Sequence, residues 1–163
     1  MKILLALVIA VTPAFNSLVL ASENMSFKGT LLETPPCEIN GGQPVEIDFG
    51  EVGVNKINGE NYSRTFVLTY ECEGPGTDKL LRYVGNATAF DSAAVQSNIA
   101  DFGIRLAHRT SEGITTPFEV GSTLPISAQI QSSVFVATPV KKMGAKLPEG
   151  AFFAGATLQL DYP

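Results

Sequence analysis

The last fourteen residues, Gly150 to Pro163, constrain the fold more than any other stretch. From Ala156 onward, Ala156, Leu158, Leu160 and Tyr162 alternate with Thr157, Gln159 and Asp161, the two-residue period of a strand with one apolar and one wet face. Earlier segments can pair one edge of such a strand, and no later segment is there to pair the other. An unpaired apolar edge is an aggregation hazard. The pattern therefore predicts that something outside the chain's own strand order covers it.

The beginning of the chain sets the compartment. Met1 and Lys2 precede an apolar run from Ile3 to Val11, and Val19-Leu20-Ala21 places small residues before a cleavage point, so residues 1–21 read as a secretory signal peptide. Thr12, Pro13, Asn16 and Ser17 interrupt the run, and no later stretch offers the roughly 20 apolar residues of a membrane span. The expected mature chain, 142 residues from Ser22, suits one domain with a substantial core. It carries ten basic against sixteen acidic residues, a charge of about −6. With no cluster of Lys and Arg to neutralise phosphates, nucleic acid is excluded as a partner. Two cysteines, Cys37 and Cys72, permit a single connection, and an oxidising compartment favours it. Closing about 35 residues, it would contribute roughly 3 to 4 kcal/mol. One histidine leaves a Cys/His metal site short of ligands.

Residues 22–36 place Met25, Phe27, Gly29 and Leu31 in one register and Asn24, Ser26, Lys28 and Thr30 in the other, which predicts a first strand. Pro35 and Pro36 separate it from the next segment, because each lacks an N–H and restricts its predecessor. After an Asn40-Gly41-Gly42 turn, Val45, Ile47 and Phe49 alternate with Glu46 and Asp48, predicting a strand with one wet face. Thr65 to Cys72 is the clearest interior strand, with Phe66, Leu68, Tyr70 and Cys72 on one face. Lys79 to Val84 predicts another, and the small, polar residues 87–100 a loop with room for one helical turn. Phe102, Ile104 and Leu106 alternate again, Pro117 and Phe118 open a looser region, and 126–138 supplies one or two strands. Pro139, Gly144 and Pro148 punctuate the approach to the end. No segment sustains a 3.6-residue apolar period over ten residues, so about seven short strands predict an all-β sandwich.

Little here suggests catalysis. His108, beside Arg105 and Arg109 at a strand end, reads as solvated. Asp91, Asp101 and the Glu46/Asp48 pair could serve as acid and base in principle, yet Glu46 and Asp48 alternate with apolar residues and read as a strand's wet face. No nucleophile elbow, P-loop or dinucleotide fingerprint occurs. The expectation is a non-catalytic protein without cofactor or metal.

Four features occur together: a signal peptide, an alternating arm with a central Gly29, a Pro-Pro-Cys37 junction with a second cysteine at 72, and a terminal strand with Gly150 fourteenth from the end and Tyr162 next to last. In combination they resemble the subunits of chaperone-usher pili across essentially the whole mature chain. The resemblance is strongest to the small tip subunits of P-type and mannose-resistant fimbriae, through Thr34-Pro-Pro-Cys-Glu-Ile-Asn-Gly-Gly42, Ile47-Asp-Phe-Gly-Glu-Val52, Phe102-Gly-Ile-Arg-Leu106 and the ending from Ala156 to Tyr162.

The resemblance implies an incomplete immunoglobulin-like sandwich, residues 37–163, lacking its last strand. A periplasmic chaperone, then a neighbouring subunit, would supply that strand by donor-strand complementation. The arm, residues 22–36, would be the donor, with Met25, Phe27 and Leu31 filling a neighbour's pockets and Gly29 passing where the groove is tight. Gly150, Ala156, Leu158, Leu160 and Tyr162 would form the acceptor groove and chaperone-binding strand, with the Pro163 carboxylate held in the chaperone's basic cleft. Implied partners are the chaperone, an outer-membrane usher and neighbouring subunits, the adhesin among them, and the implied destination is a fimbrium on the cell surface. The function implied is a minor structural subunit, an adaptor at or near the tip. A rod-forming major pilin and, in a different class, a secreted β-sandwich that binds carbohydrate or another ligand are the alternatives.

Overall fold

The computed structural model describes residues 26–31, 36–73 and 78–162. The chain divides into two units, residues 1–32 and 33–163. In the first unit, residues 26–31 form no strand, and Phe27 and Leu31 are exposed. The strand expected there is absent over these residues because alternation alone supplies no ladder; a strand needs a hydrogen-bonded neighbour.

The second unit is all-β. Among the described residues its nine strands are β1 Cys37–Ile39, β2 Arg64–Cys72, β3 Lys79–Val84, β4 Ala94–Gln96, β5 Phe102–Arg109, β6 Thr115–Pro117, β7 Thr123–Ile126, β8 Ser132–Lys141 and β9 Thr157–Asp161. They form two sheets, one ordered β1-β2-β8-β5-β4 with β6 also on β5, the other ordered β7-β3-β9. Every pairing is antiparallel.

Alternation decides which faces meet. On β2, Leu68 and Tyr70 are buried and Phe66 half-buried, while Thr65, Val67, Thr69 and Glu71 are exposed. Phe66 is the ladder partner of Phe135 on β8, and their rings stack at 5.9 Å. From the other sheet Leu81, Tyr83 and Ile126 enter the same core, and Leu158 and Leu160 of β9 pack against it. Phe118 joins the layers, with Tyr83 at 5.3 Å and Phe135 at 6.0 Å. Each such side chain taken from water contributes about 1.5 to 3 kcal/mol.

Strand β8 is buried on both faces over most of its length. The segment before β2 covers its outer face: Ile57 is buried, Ser63 and Thr138 share a hydrogen bond at 2.8 Å, and Lys141 Nζ donates to the Val54 carbonyl. Pro139, expected to break the chain, lies inside β8. The β2–β8 ladder ends at Ala137, so Pro139 has only β5 beside it and its missing N–H falls where no second neighbour needs one. Residues 94–96, expected as loop, are a strand instead. Ala93, Ala94 and Val95 are buried, and Ala94 and Gln96 pair with Arg105 and Gly103. Their small size hid the pattern. The region after Pro117, expected to be loose, contributes β7.

His108 is also corrected. Its ring is half-buried 5.3 Å from that of Phe135, its ladder partner, and burial lowers its pKa.

Candidate functional site: an apolar groove beside the last strand

The turn after β1 creates the site. Asn40, Gly41 and Gly42 all have positive φ (50°, 58° and 75°), a path that Gly and Asn follow most easily. Asn40 Oδ1 accepts from the backbone N–H of Thr69 at 2.8 Å, fastening this turn to β2. The chain thereby leaves the first sheet, and residues 43–50 run on without a ladder partner. Val45, Ile47 and Phe49 keep the alternation that predicted a strand, but no strand forms, because no backbone lies alongside to hydrogen-bond with them.

β9 is unpaired on one side. Leu80 to Val84 of β3 pair with Asp161 to Thr157, and no other strand among the described residues pairs with β9. Two backbone stretches that face this region thus lack a strand partner, the outer edge of β9 and residues 43–50, where only the Arg64 side chain reaches the Asp48 and Phe49 carbonyls. Both line a cavity of about 740 Å³, through Val45, Ile47 and Phe49 and through Ala156 and Leu158. Core residues Phe66, Leu68, Ile104 and Leu106 form more of its lining. A sealed void of that volume would cost on the order of 18 kcal/mol, more than the roughly 5 to 15 kcal/mol that holds a domain together. It persists as a groove, and filling it with apolar side chains is strongly favoured.

A second cavity, again about 740 Å³, shares Ile47, Phe49 and Phe152 with the first and adds Ile57, Ile99 and Phe102. Phe152 borders both, its ring edge-on to Phe102 at 4.9 Å and 6.1 Å from Phe49. Gly150 lines the second cavity with φ +146°, a conformation that side-chain-bearing residues rarely adopt.

The residues singled out in the sequence are therefore distributed. Ala156 and Leu158 line the groove, while Leu160 packs against the core beside it. Gly150 lies at the adjoining cavity. Tyr162 is half-buried, and its hydroxyl donates to Cys37 Sγ at 2.8 Å. Cys37 and Cys72 form the expected disulfide and are ladder partners on β1 and β2. Phe27, Gly29 and Leu31 belong to the first unit; Met25 and Pro163 lie outside the described residues.

Phe152, Phe153 and the role of Val45 to Phe49 were missed. Phe153 lines the groove yet is 73% exposed, an aromatic ring waiting for cover. The Phe152-Phe153 pair just before the terminal alternation was the available signal.

Burial, and then the nearby Asp91 charge, push the Tyr83 phenol far above its ordinary value, so it stays neutral at any physiological pH. Burial likewise raises Tyr70. Among the described residues no group of three or more His, Cys, Asp and Glu could hold a metal ion, and no helix is long and apolar enough to cross a membrane.

The Fimbrial protein family model matches residues 25–163. The fimbrial-like protein YfcQ of Escherichia coli strain K12 is 36% identical over 150 residues, covering 87% of this chain and 88% of that protein. Among solved structures, the P pilus adaptor subunit PapF superposes with a TM-score of 0.63 at 24% identity, covering 80% of this chain and 98% of that one. The P pilus rod subunit PapA gives 0.57 at 23% identity, with coverage of 85% and 99%. These folds are the incomplete immunoglobulin-like sandwich of pilins, and the two sheets described above share it. With a matching family model over most of its length and a relative above 30% identity, the chain belongs to the fimbrial protein family.

Proposed function

We propose that this chain is a minor, non-catalytic subunit that joins its neighbours by donor-strand exchange, as an adaptor at or near the tip of the pilus. The observation that carries the reading is the unpaired edge of β9 beside an apolar groove of about 740 Å³. A strand laid there would hydrogen-bond to β9, and to residues 43–50 where it meets them. It would bury Val45 and Phe153 and fill the groove with its alternate side chains. The periplasmic chaperone would provide it during export, and the next subunit's arm after passage through the usher. Residues 1–21 would be removed as the signal peptide. Residues 22–36 would act as the donor arm through Met25, Phe27, Gly29 and Leu31, and residues 37–163 would form the acceptor domain. Gly150, Ala156, Leu158, Leu160, Tyr162 and Pro163 would be the acceptor and chaperone-facing positions.

The likeness to an adaptor supports a minor role, although a rod subunit is nearly as similar in fold. The test has two stages. The mature chain should accumulate as a soluble monomer only when expressed with a pilus chaperone. Deleting residues 22–36 should leave that complex intact while blocking addition to the next subunit. A stable unaided monomer would end the donor-strand reading. Labelled subunits counted on isolated pili should number one or a few per filament; hundreds along the shaft would make it the rod protein instead.

A further inference from the structure

That a strand fills this groove is part of the proposed function, on which this inference rests; the rim of the groove bears on which strand. Glu46 lines the first cavity and Asp48, Glu51 and Glu149 the second, all four exposed. Neither lining contains Lys, Arg or His. The ion pairs among the described residues join Arg82 to Asp161, Arg105 to Asp91 and Lys142 to Asp101, so none engages the rim. Arg64 and Lys141 reach this region, but they donate to the backbone carbonyls of Asp48, Phe49 and Val54. Asp48 Oδ1 accepts from the Gly50 N–H within its own turn.

The groove is thus apolar inside and negatively charged along its edge. The chain's own arm offers no net positive charge to match it, since in residues 22–36 Glu23 and Glu33 offset Lys28 and the α-amino group that cleavage before Ser22 would leave. A second copy would bring its acids to an acidic rim. We propose that the groove selects a donor strand of net positive charge from a different subunit and disfavours the arm of another copy of this chain. Apolar pockets would set the affinity of any alternating strand. The rim would decide between strands, because like charges held side by side are repulsive and opposite ones attract.

Two fluorescent synthetic peptides test this, one with the sequence of residues 22–36 and one carrying Glu23→Lys and Glu33→Lys. The mature chain is refolded from denaturant with each, and binding is followed by anisotropy at about 0.1 M and about 1 M salt, where the screening length falls from about 10 Å to about 3 Å. The lysine peptide should bind about tenfold more tightly at the lower salt, and the two should converge at the higher. A Glu46→Gln/Glu51→Gln/Glu149→Gln protein, altered only at exposed positions, should bind both alike. Equal binding at low salt, or a preference that survives in the neutralised protein, overturns charge selection and leaves donor-strand exchange standing. Failure of both peptides to bind overturns the two together.

Discussion

The hydroxyl of Tyr162 donates to Sγ of Cys37 at 2.8 Å, tying the residue after β9 to the disulfide that joins β1 and β2. One end of the groove strand is thereby anchored to the opposite sheet. Tyr162→Phe should lower stability by about 0.5 to 1.5 kcal/mol, the net worth of one hydrogen bond. Removing both cysteines should cost roughly 3 to 4 kcal/mol. In the cysteine-free background the tyrosine substitution should lose part of its effect, and a double-mutant cycle from denaturant midpoints measures the difference.

Phe153 separates folding from joining. Its ring is exposed while lining the groove, so Phe153→Ala should change the unbound domain's stability by no more than about 0.5 kcal/mol. The same change should weaken a bound donor peptide by about 1.5 to 3 kcal/mol, roughly 10- to 150-fold in dissociation constant. Peptide dissociation kinetics and thermal melts on the same variant check both halves.

Two ion pairs of similar length should differ in value. Asp91 is the more buried, accepting from Arg105 Nε at 2.6 Å and from the Ala93 N–H at 3.0 Å. Asp91→Ala leaves Arg105 without its ion-pair partner, with only the Gly59 carbonyl to donate to, and should cost about 1 to 3 kcal/mol. Arg82 and Asp161 bridge β3 and β9 at 2.7 Å but are both well exposed, and Asp161→Ala should cost under about 1 kcal/mol. Urea titrations at moderate salt should rank them in that order.

Strand β2 and the terminal alternation were legible in the sequence because each has one buried and one wet face. Residues 94–96 were not, since alanine contributes too little contrast for a period to show. Val45 to Phe49 carry the pattern of a strand without being one, because the sequence encodes the side-chain face while the ladder requires a second backbone. Pro139 was misread for a complementary reason. Proline breaks a ladder only where a neighbour wants its N–H, and which neighbour ends where is a property of the sheet. The groove's apolar strand was therefore visible, and so were the apolar faces that carry Phe66 and Ile104, but not that these residues would meet Phe152 around the groove.

His108 gives the fold a mild acid sensitivity. Its folded pKa lies below the ordinary value of 6.5 because burial against Phe135 disfavours the charged ring. The unfolded chain therefore binds the proton more readily, and the stability from keeping the ring neutral is lost as pH falls through the unfolded value toward the folded one. Melting temperatures should decline from pH 7.5 to pH 5, and His108→Gln should flatten that decline.

The unpaired edge of β9 also alters the kinetics of folding. In a sandwich that contains all its strands, the last to dock arrives by intramolecular search, at a rate independent of dilution. With that strand supplied by another molecule, as proposed, the final step becomes second order, and completion of the fold depends on how much donor is present. Concentration in the exporting compartment then acts as a folding parameter in its own right.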